Sequence, residues 1–220
     1  MAIKYYGFWR SLAACRVRIA LAMKGIKAEE ISVNLMQGEQ LKPEYREVNP
    51  LAVVPALVVD DGTPLFESLA IIEYLDETHP HPPLLPKDPA GRARARGLAQ
   101  IVACEGHPLI VPRVRNYLDK EFKVDEAART RWCQHWVMEA LKAVEAHLAK
   151  EKETGRFCHG NTPTLADICV ATQVFGARFF SCDTSSVSTV MRVFDECMKL
   201  DAFSNSHPMK QPGAPKELKH

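Results

Sequence analysis

Residues 3–34, IKYYGFWRSLAACRVRIALAMKGIKAEEISVN, predict a strand, a helix and a second strand joined by short connections. The run at 3–7 is typical of a β-strand, and the segment after it carries an apolar stripe at helical spacing, with Arg16 and Arg18 outside the stripe. Gly25 is a typical helix stop, and a second β-type run follows it. This order is a βαβ unit, which indicates an α/β domain.

The next chain segment extends this domain with a hairpin and a helix. Residues 53–66, VVPALVVDDGTPLF, are two β-type runs separated by Asp-Asp-Gly, which is a strong hairpin signal. Residues 67–80, ESLAIIEYLDETHP, then show apolar side chains at helical spacing and end at a proline. The sequence therefore predicts an α/β domain over residues 1–79, built on a mixed four-stranded sheet.

The composition changes after this domain. The segment HPHPPLLPKDP holds five prolines in eleven residues, which excludes a helix and predicts an extended linker over residues 80–89. Beyond it strand signals nearly vanish, and residues 125–150 form a clear amphipathic helical pattern. Thr164 and Asp167 fit a capping box that opens another helix. We expect residues 90–220 to form an all-helical domain with an irregular tail.

Charge and cysteine usage exclude several classes of protein. The chain of 220 residues has 28 basic and 27 acidic side chains, a net charge of +1 and no long single-sign block, so nucleic-acid binding is not predicted. Its apolar runs are far shorter than the roughly 18–20 residues that a membrane-spanning helix needs. The seven cysteines are scattered and contain no CxxC pair, which favours a reducing, cytoplasmic location and weakens a disulfide oxidoreductase.

Ser11 is the first candidate for chemistry. It stands at the junction of the first strand and the first helix, where unpaired N–H groups and the helix dipole favour an anion. A hydroxyl there can donate to a thiolate and lower the pKa of that thiol. As an isolated residue, however, Ser11 is explained more simply as a helix N-cap.

Two further dipeptides lie at comparable places in the same domain. Val54-Pro55 precedes a strand, and a cis proline there turns the Val54 backbone outward to pair with an extended peptide, although an ordinary strand start is the alternative. Glu67-Ser68 opens a helix and offers an acid for an ammonium group and a hydroxyl for a carboxylate, although two capping residues would look the same. Each of the three features alone has a simple structural explanation as a helix cap or a strand start. Their occurrence in this order within one α/β domain favours a binding site instead.

At this point the chain resembles the zeta class of cytosolic glutathione transferases. The stretch RSLAACRVRIALAMKGI is similar to the signature of that class, as are EYREVNPLAVVPAL, TLADICVATQVFGARF and the tail SHPMKQPGAP. The resemblance covers essentially the whole chain. It implies a thioredoxin-like α/β domain followed by an all-α domain, a homodimer, and glutathione as the cofactor.

The resemblance also implies an activity and a set of site residues. Zeta-class proteins are mostly glutathione-dependent cis–trans isomerases of maleylacetoacetate or maleylpyruvate, in aromatic amino-acid or aromatic-acid catabolism. The glutathione thiolate adds to an activated double bond, the resulting single bond rotates, and elimination returns the trans alkene. By resemblance Ser11 is the catalytic serine, and the glutathione-contacting positions are Ser11, Gln40, Val54, Glu67 and Ser68. The small electrophilic substrate is assigned to Arg10, His107 and Arg178.

The sequence departs from the family pattern on the substrate side. Leu12, Ile110 and Val111 replace polar residues, and Phe179 stands where the family has an arginine for the substrate carboxylate. These changes keep a second hypothesis open, a non-catalytic glutathione-binding ligandin or interaction module. No metal site is predicted, and Cys15, near the start of the first helix, is more simply a packed residue than a reactive thiol.

Overall fold

The computed structural model describes residues 3–215, which form two compact units. The first unit contains residues 3–84 together with residues 201–215, and the second contains residues 85–200. This division differs from the predicted domains, which ended at residue 79 and placed the tail with the helices. The tail belongs to the first unit because the short helix near its start packs against the first helix of the chain.

The first unit is built on a mixed sheet with the strand order β2-β1-β3-β4. β1 and β2 are parallel, whereas β1 with β3 and β3 with β4 are antiparallel. This is the predicted α/β thioredoxin-like arrangement, which is therefore confirmed. Its elements are β1 (Lys4–Gly7), α1 (Leu12–Lys24), β2 (Glu29–Ser32), α2 (Pro43–Val48), β3 (Ala56–Val58), β4 (Pro64–Phe66), α3 (Ser68–Thr78) and α9 (Asp201–Ser204).

Helix α1 has clear signals at both ends. Ser11 caps its first turn, and Gly25 ends it in the left-handed region at φ 64°, with its N–H donating to the carbonyl of Ala22. The predicted placement of the two arginines outside the apolar stripe is wrong. Arg16 is only 2% exposed, and Arg18 lies over the Tyr5 ring and pairs with Glu30. Both guanidinium groups have polar partners inside the unit, which explains why a largely apolar helix can carry them.

Lys24, the last residue of α1, ties the helix to the proline-rich segment. Its Nζ donates to Asp76 Oδ1 at 2.6 Å and to the carbonyls of His79 at 2.6 Å and Pro82 at 2.5 Å. The same Asp76 oxygen accepts the N–H of Leu84 at 2.8 Å. The first half of the predicted linker is thus fixed within the first unit.

The second unit contains helices and connecting turns, and none of its described residues from 85 to 200 lies in a strand. Its central helix α7 is buried along most of its length. The predicted capping box is present, since Asp167 accepts hydrogen bonds from the N–H and the hydroxyl of Thr164. The helices of this unit are α4 (Pro89–Gln100), α5 (Pro112–Phe122), α6 (Glu126–Lys150), α7 (Leu165–Phe179) and α8 (Ser188–Met198).

The connection from α4 to α5 contains an unusual helical segment. After α4 the chain makes a π-helical turn over Ile101–Gly106 and a 3₁₀ turn over His107–Leu109. A Cβ atom at Gly106 would lie 2.5 Å from the Cβ of Ala140, so only glycine permits this approach to α6. The regular α-helix is therefore interrupted at a close helix contact, and Pro108 follows two residues after Gly106.

Two properties of the described chain bear on its environment. All seven cysteines are free thiols, and five of them are buried. Within residues 3–215 no helix combines the length and the apolar character needed to cross a bilayer.

Candidate functional site

Ser11 lies at the entrance of α1 with its hydroxyl in a defined direction. Its Oγ accepts a hydrogen bond from the N–H of Ala14 at 3.1 Å, and its backbone is extended at φ −74° and ψ 118°. The hydroxyl hydrogen has no acceptor among residues 3–215. Ser11 is therefore an N-cap, and its remaining donor lies where the helix dipole favours a negative charge.

The second candidate, Val54, begins an extended segment beside the sheet. The Val54–Pro55 peptide bond is cis. The preceding carbonyl, that of Val53, is held by Tyr45 Oη at 2.7 Å and by Asn49 Nδ2 at 2.8 Å. None of the hydrogen bonds within the described chain engages the Val54 backbone, so both of its polar groups can pair with an extended peptide.

Glu67 and Ser68 lie at the start of α3 in different environments. Glu67 is exposed and has a φ of 66°, a conformation that costs a non-glycine residue roughly 1–3 kcal/mol and is concentrated at ligand sites. Ser68 is 4% exposed, and its Oγ accepts a hydrogen bond from Arg16 Nη1 at 3.2 Å. Because the hydroxyl of Ser68 acts as an acceptor here, its hydrogen stays available for a ligand carboxylate.

Gln40 lies in a 3₁₀ turn over Glu39–Leu41. Its Oε1 atom is buried and has no hydrogen-bond partner in the described part of the chain. The loop before it is held by side chains, since Asn34 N–H donates to Glu39 Oε2 at 2.7 Å. A buried acceptor without a partner is costly, and a ligand N–H would satisfy it.

The chemical types of these groups are those that a tripeptide with a thiol would need. The first unit supplies a hydroxyl donor at a helix N-terminus, an unpaired backbone segment, an orphaned amide oxygen and an exposed carboxylate. Glutathione presents the complementary groups: a thiolate, a peptide backbone with N–H donors, and an ammonium group. Each of the five predicted glutathione positions lies in this one unit.

The three residues assigned to the substrate are divided between the units. Arg10 precedes Ser11 in the first unit and is exposed. His107 opens the 3₁₀ turn after the π-helical segment, and Arg178 lies in the last turn of α7, both in the second unit. The Arg178 guanidinium carbon lies 4.5 Å from the centre of the Phe194 ring, so its charge already has an aromatic partner.

Comparison with known proteins gives a consistent picture. Residues 1–77 match the model of the glutathione S-transferase N-terminal domain, and residues 126–181 match that of its C-terminal domain. The chain is 44% identical to a maleylpyruvate isomerase of Ralstonia sp over 211 residues, which covers 96% of this chain and 99% of the relative.

The chain belongs to the glutathione S-transferase family.

Other relatives and solved structures agree with this assignment. A maleylacetoacetate isomerase of Pseudomonas aeruginosa is 40% identical over 97% of this transferase and 99% of its own length. The crystal structure of a maleylacetoacetate isomerase from Methylobacterium extorquens AM1, with bound malonate and glutathione, has a TM-score of 0.95, 47% identity and coverages of 96% and 99%. A maleylpyruvate isomerase described as a bacterial zeta-class transferase has a TM-score of 0.93 and 42% identity, with coverages of 96% and 100%. The predicted family, architecture and glutathione cofactor are confirmed.

Arg16 is a buried partner of the predicted site residue Ser68, a contact that the sequence did not predict. It stands on α1 and reaches the first turn of α3, so it links the helix that carries Ser11 to the hydroxyl of Ser68. The sequence pattern placed Arg16 outside the apolar stripe and so did not indicate that this side chain is buried. Its partner stands 52 residues away, and no local pattern connects the two positions.

Cys15 is a packed residue in this transferase. It is fully buried, and its Sγ donates to the carbonyl of Ser206 at 3.3 Å. Burial raises the pKa of the Cys15 thiol to about 12, against a smaller opposite effect of the neighbouring arginines. The position near a helix N-terminus therefore does not make this thiol reactive.

Two of the family departures are buried side chains. Leu12 is 6% exposed and Ile110 is 4% exposed, whereas Val111 and Phe179 are half-buried. Because Leu12 and Ile110 are buried in the protein, their apolar character needs no explanation by a ligand. Within residues 3–215, no group of three or more histidine, cysteine or acidic side chains could hold a metal ion.

Proposed function

We propose that this transferase is a glutathione-dependent cis–trans isomerase of a small unsaturated dicarboxylate of the maleylacetoacetate or maleylpyruvate type, with Ser11 as the residue that stabilises the thiolate. The reaction is that named for relatives of nearly full length. The catalytic role is supported by the hydrogen bonding of the Ser11 hydroxyl. Its oxygen accepts a hydrogen bond from the N–H of Ala14, and its hydrogen remains available to donate to the sulfur.

Ser11 acts on the ionisation of the thiol. When bound, glutathione supplies a thiolate that adds reversibly to an activated double bond. The Ser11 hydroxyl donates to the sulfur, and the N-terminus of α1 adds a favourable dipole, so both stabilise the charged form. Stabilisation of the thiolate lowers the pKa of the thiol and raises the fraction of nucleophile at neutral pH.

The remaining glutathione positions orient the tripeptide. The free backbone N–H and carbonyl of Val54 pair with its central peptide, and Gln40 Oε1 accepts one of its N–H groups. Glu67 binds the ammonium group, and Ser68 donates to the adjacent carboxylate while Arg16 donates to Ser68. These contacts hold the sulfur in one place, which reduces the entropy cost of the reaction.

The substrate side depends on cationic groups. We assign the carboxylates of the substrate to Arg10, His107 and Arg178, because negative charge on the substrate increases as the thiolate adds and needs stabilisation. Phe179 occupies the position at which the zeta-class pattern has an arginine. For Arg178 to take over that role, it must exchange the Phe194 ring for the substrate.

We also propose a homodimer. The described part of the first unit exposes four large apolar side chains, among them Leu51 at 52% and Phe66 at 58%, although most large apolar side chains of the unit are buried. Exposed apolar groups of this size commonly mark contact surfaces. Light scattering should give twice the mass of the chain, and Phe66→Lys should shift the population towards the mass of one chain.

The proposed location is the cytoplasm. Its support is the set of seven free thiols, since a reducing compartment keeps such groups unpaired. Fractionation of cells with compartment markers tests it, and recovery of the protein with a periplasmic or extracellular marker would contradict it.

The activity is tested by following the isomerisation of maleylacetone and of maleylpyruvate with and without glutathione. We expect conversion to the trans isomer only with glutathione, and no net consumption of glutathione, because the thiol is released in every cycle. Glutathione binding without turnover of either compound would favour the ligandin hypothesis. Net formation of a stable conjugate would favour a transferase reaction instead.

A further inference from the structure

The tail of the first unit contacts the helix that carries Ser11. Residues 206–213 follow α9, which packs against α1. The proposed chemistry gives no role to these residues, although Ser206 is 2% exposed and Gln211 is 8% exposed. Buried polar side chains are kept where their hydrogen bonds are satisfied, so their partners identify what they hold in place.

Gln211 fixes the backbone on both sides of Ser206. Its Nε2 donates to the carbonyl of Asn205 at 2.7 Å and to that of His207 at 3.0 Å. A primary amide has two N–H donors, and both are used here. The direction of the carbonyl between them, that of Ser206, is therefore determined by the Gln211 side chain.

The carbonyl of Ser206 continues this connection into α1. It accepts the thiol hydrogen of Cys15 at 3.3 Å, across 191 residues of sequence. The N–H of Cys15 in turn donates to the carbonyl of Ser11 at 2.9 Å, as part of the first turn of the helix. Gln211 and Ser11 are thus joined by a continuous set of hydrogen bonds and backbone within one unit.

A second contact reaches the same turn from the other side. Gly213 has a φ of 85°, and a Cβ atom there would lie 3.4 Å from Cδ1 of Trp9. Trp9 precedes Ser11 by two residues, and the N–H of Ser11 donates to the carbonyl of Phe8 at 3.0 Å. The tail therefore packs against the segment before Ser11 as well as against the helix after it.

We propose that Gln211 is a positioning residue for Ser11, which it acts on through the carbonyl of Ser206 and the thiol of Cys15. The inference rests on the proposed role of Ser11 in holding the glutathione thiolate. Gln211 touches neither substrate nor cofactor in this scheme. Its effect is to restrict the first turn of α1, so that the Ser11 hydroxyl keeps one direction and loses less entropy on binding the sulfur.

The test is the pKa of the glutathione thiol in the binary complex, followed by thiolate ultraviolet absorbance against pH. Gln211→Met keeps the size of the side chain and removes both donors. We expect the pKa of the bound thiol to rise by roughly half a unit, a smaller rise than in Ser11→Ala. In the Ser11→Ala background the same change should have no further effect, because the group that it positions is absent.

Cys15 provides a second variant and Lys24 a control. Cys15→Ala should raise the thiol pKa as Gln211→Met does, and Cys15→Ser, which keeps a donor, should return it towards the wild-type value. Lys24→Met disturbs the far end of the same helix and should lower stability without changing the thiol pKa. These variants remain informative if Gln211→Met does not fold.

Two outcomes would overturn the inference in different ways. If Ser11→Ala raises the thiol pKa while Gln211→Met and Cys15→Ala leave it unchanged, the positioning role is wrong and the proposed function stands. If Ser11→Ala binds glutathione with an unchanged thiol pKa, the role of Ser11 fails, and the inference that depends on it fails as well.

Discussion

Arg16 Nη1 donates a hydrogen bond to Ser68 Oγ at 3.2 Å, and so joins α1 to the first turn of α3 inside the first unit. Each of the two helices begins at a proposed glutathione contact, Ser11 in one case and Glu67-Ser68 in the other. The two helices that carry these proposed contacts are therefore linked by one buried side chain.

This pair should show measurable energetic coupling. Arg16→Met and Ser68→Ala each remove the hydrogen bond, and the double variant should lose less stability than the sum of the two. A charge-assisted hydrogen bond of this kind predicts a coupling energy of about 1–2 kcal/mol from denaturant unfolding. Strict additivity would mean that the contact contributes nothing to the fold.

Lys24 should be a major contributor to the stability of the first unit. Lys24→Met leaves the Asp76 carboxylate without its cation, together with two carbonyls that lose a donor, and breaking such a buried pair costs about 3 kcal/mol or more. Lys42→Met is the matched control, since Lys42 has a 61% exposed side chain and should cost less than about 0.5 kcal/mol. Equal losses in guanidinium unfolding would contradict this account.

Local signals in the sequence accounted for much of the fold. Ser11 and Gly25 mark the two ends of α1, and Asp61 and Gly62 form the turn of the hairpin. Both were predictable because capping and turn formation depend on residues within a few positions. Thr164 was also recognisable, since its capping-box partner stands three residues away. These features follow from backbone geometry that a short segment determines by itself.

Contacts between distant segments could not be obtained in this way. The burial of Arg16 depends on Ser68, and the placement of the tail depends on the contact of Ser206 with Cys15. Among the predicted site residues, Gln40 came from resemblance alone, and its orphaned oxygen became visible only in the structure. Burial and hydrogen-bond satisfaction are properties of the folded chain, and side-chain type alone does not determine them.

The capping box of α7 should matter more than an ordinary helix cap. Asp167 is fully buried and accepts hydrogen bonds from the N–H of Cys158 and from the N–H and hydroxyl of Thr164. We expect Asp167→Ala to cost roughly 3 kcal/mol or more, since three donors lose their acceptor. Asp125→Ala removes the exposed N-cap of α6 and should cost about 1 kcal/mol, so similar thermal shifts for both variants would be evidence against this role.

Glu151 should give part of the acid sensitivity of the second unit. Hydrogen bonds from His147, and then from Arg94, lower the pKa of the Glu151 carboxyl. A lowered pKa in the folded state means that the stabilisation is present above the ordinary glutamate pKa of about 4.3 and is lost as the pH falls through the folded-state pKa. Melting temperatures between neutral and acid pH should therefore fall less steeply in Glu151→Gln. An identical slope in both proteins would exclude this contribution.

The most direct test of the account is the comparison of wild type with Ser11→Ala in the presence of glutathione. The account predicts that the variant still binds glutathione, because Val54, Gln40, Glu67 and Ser68 remain, while the pKa of the bound thiol rises. Isomerase turnover at neutral pH should fall by about two orders of magnitude, as when one donor to a developing charge is removed. A variant with the wild-type thiol pKa and wild-type turnover would contradict the assignment of Ser11 as the residue that stabilises the thiolate.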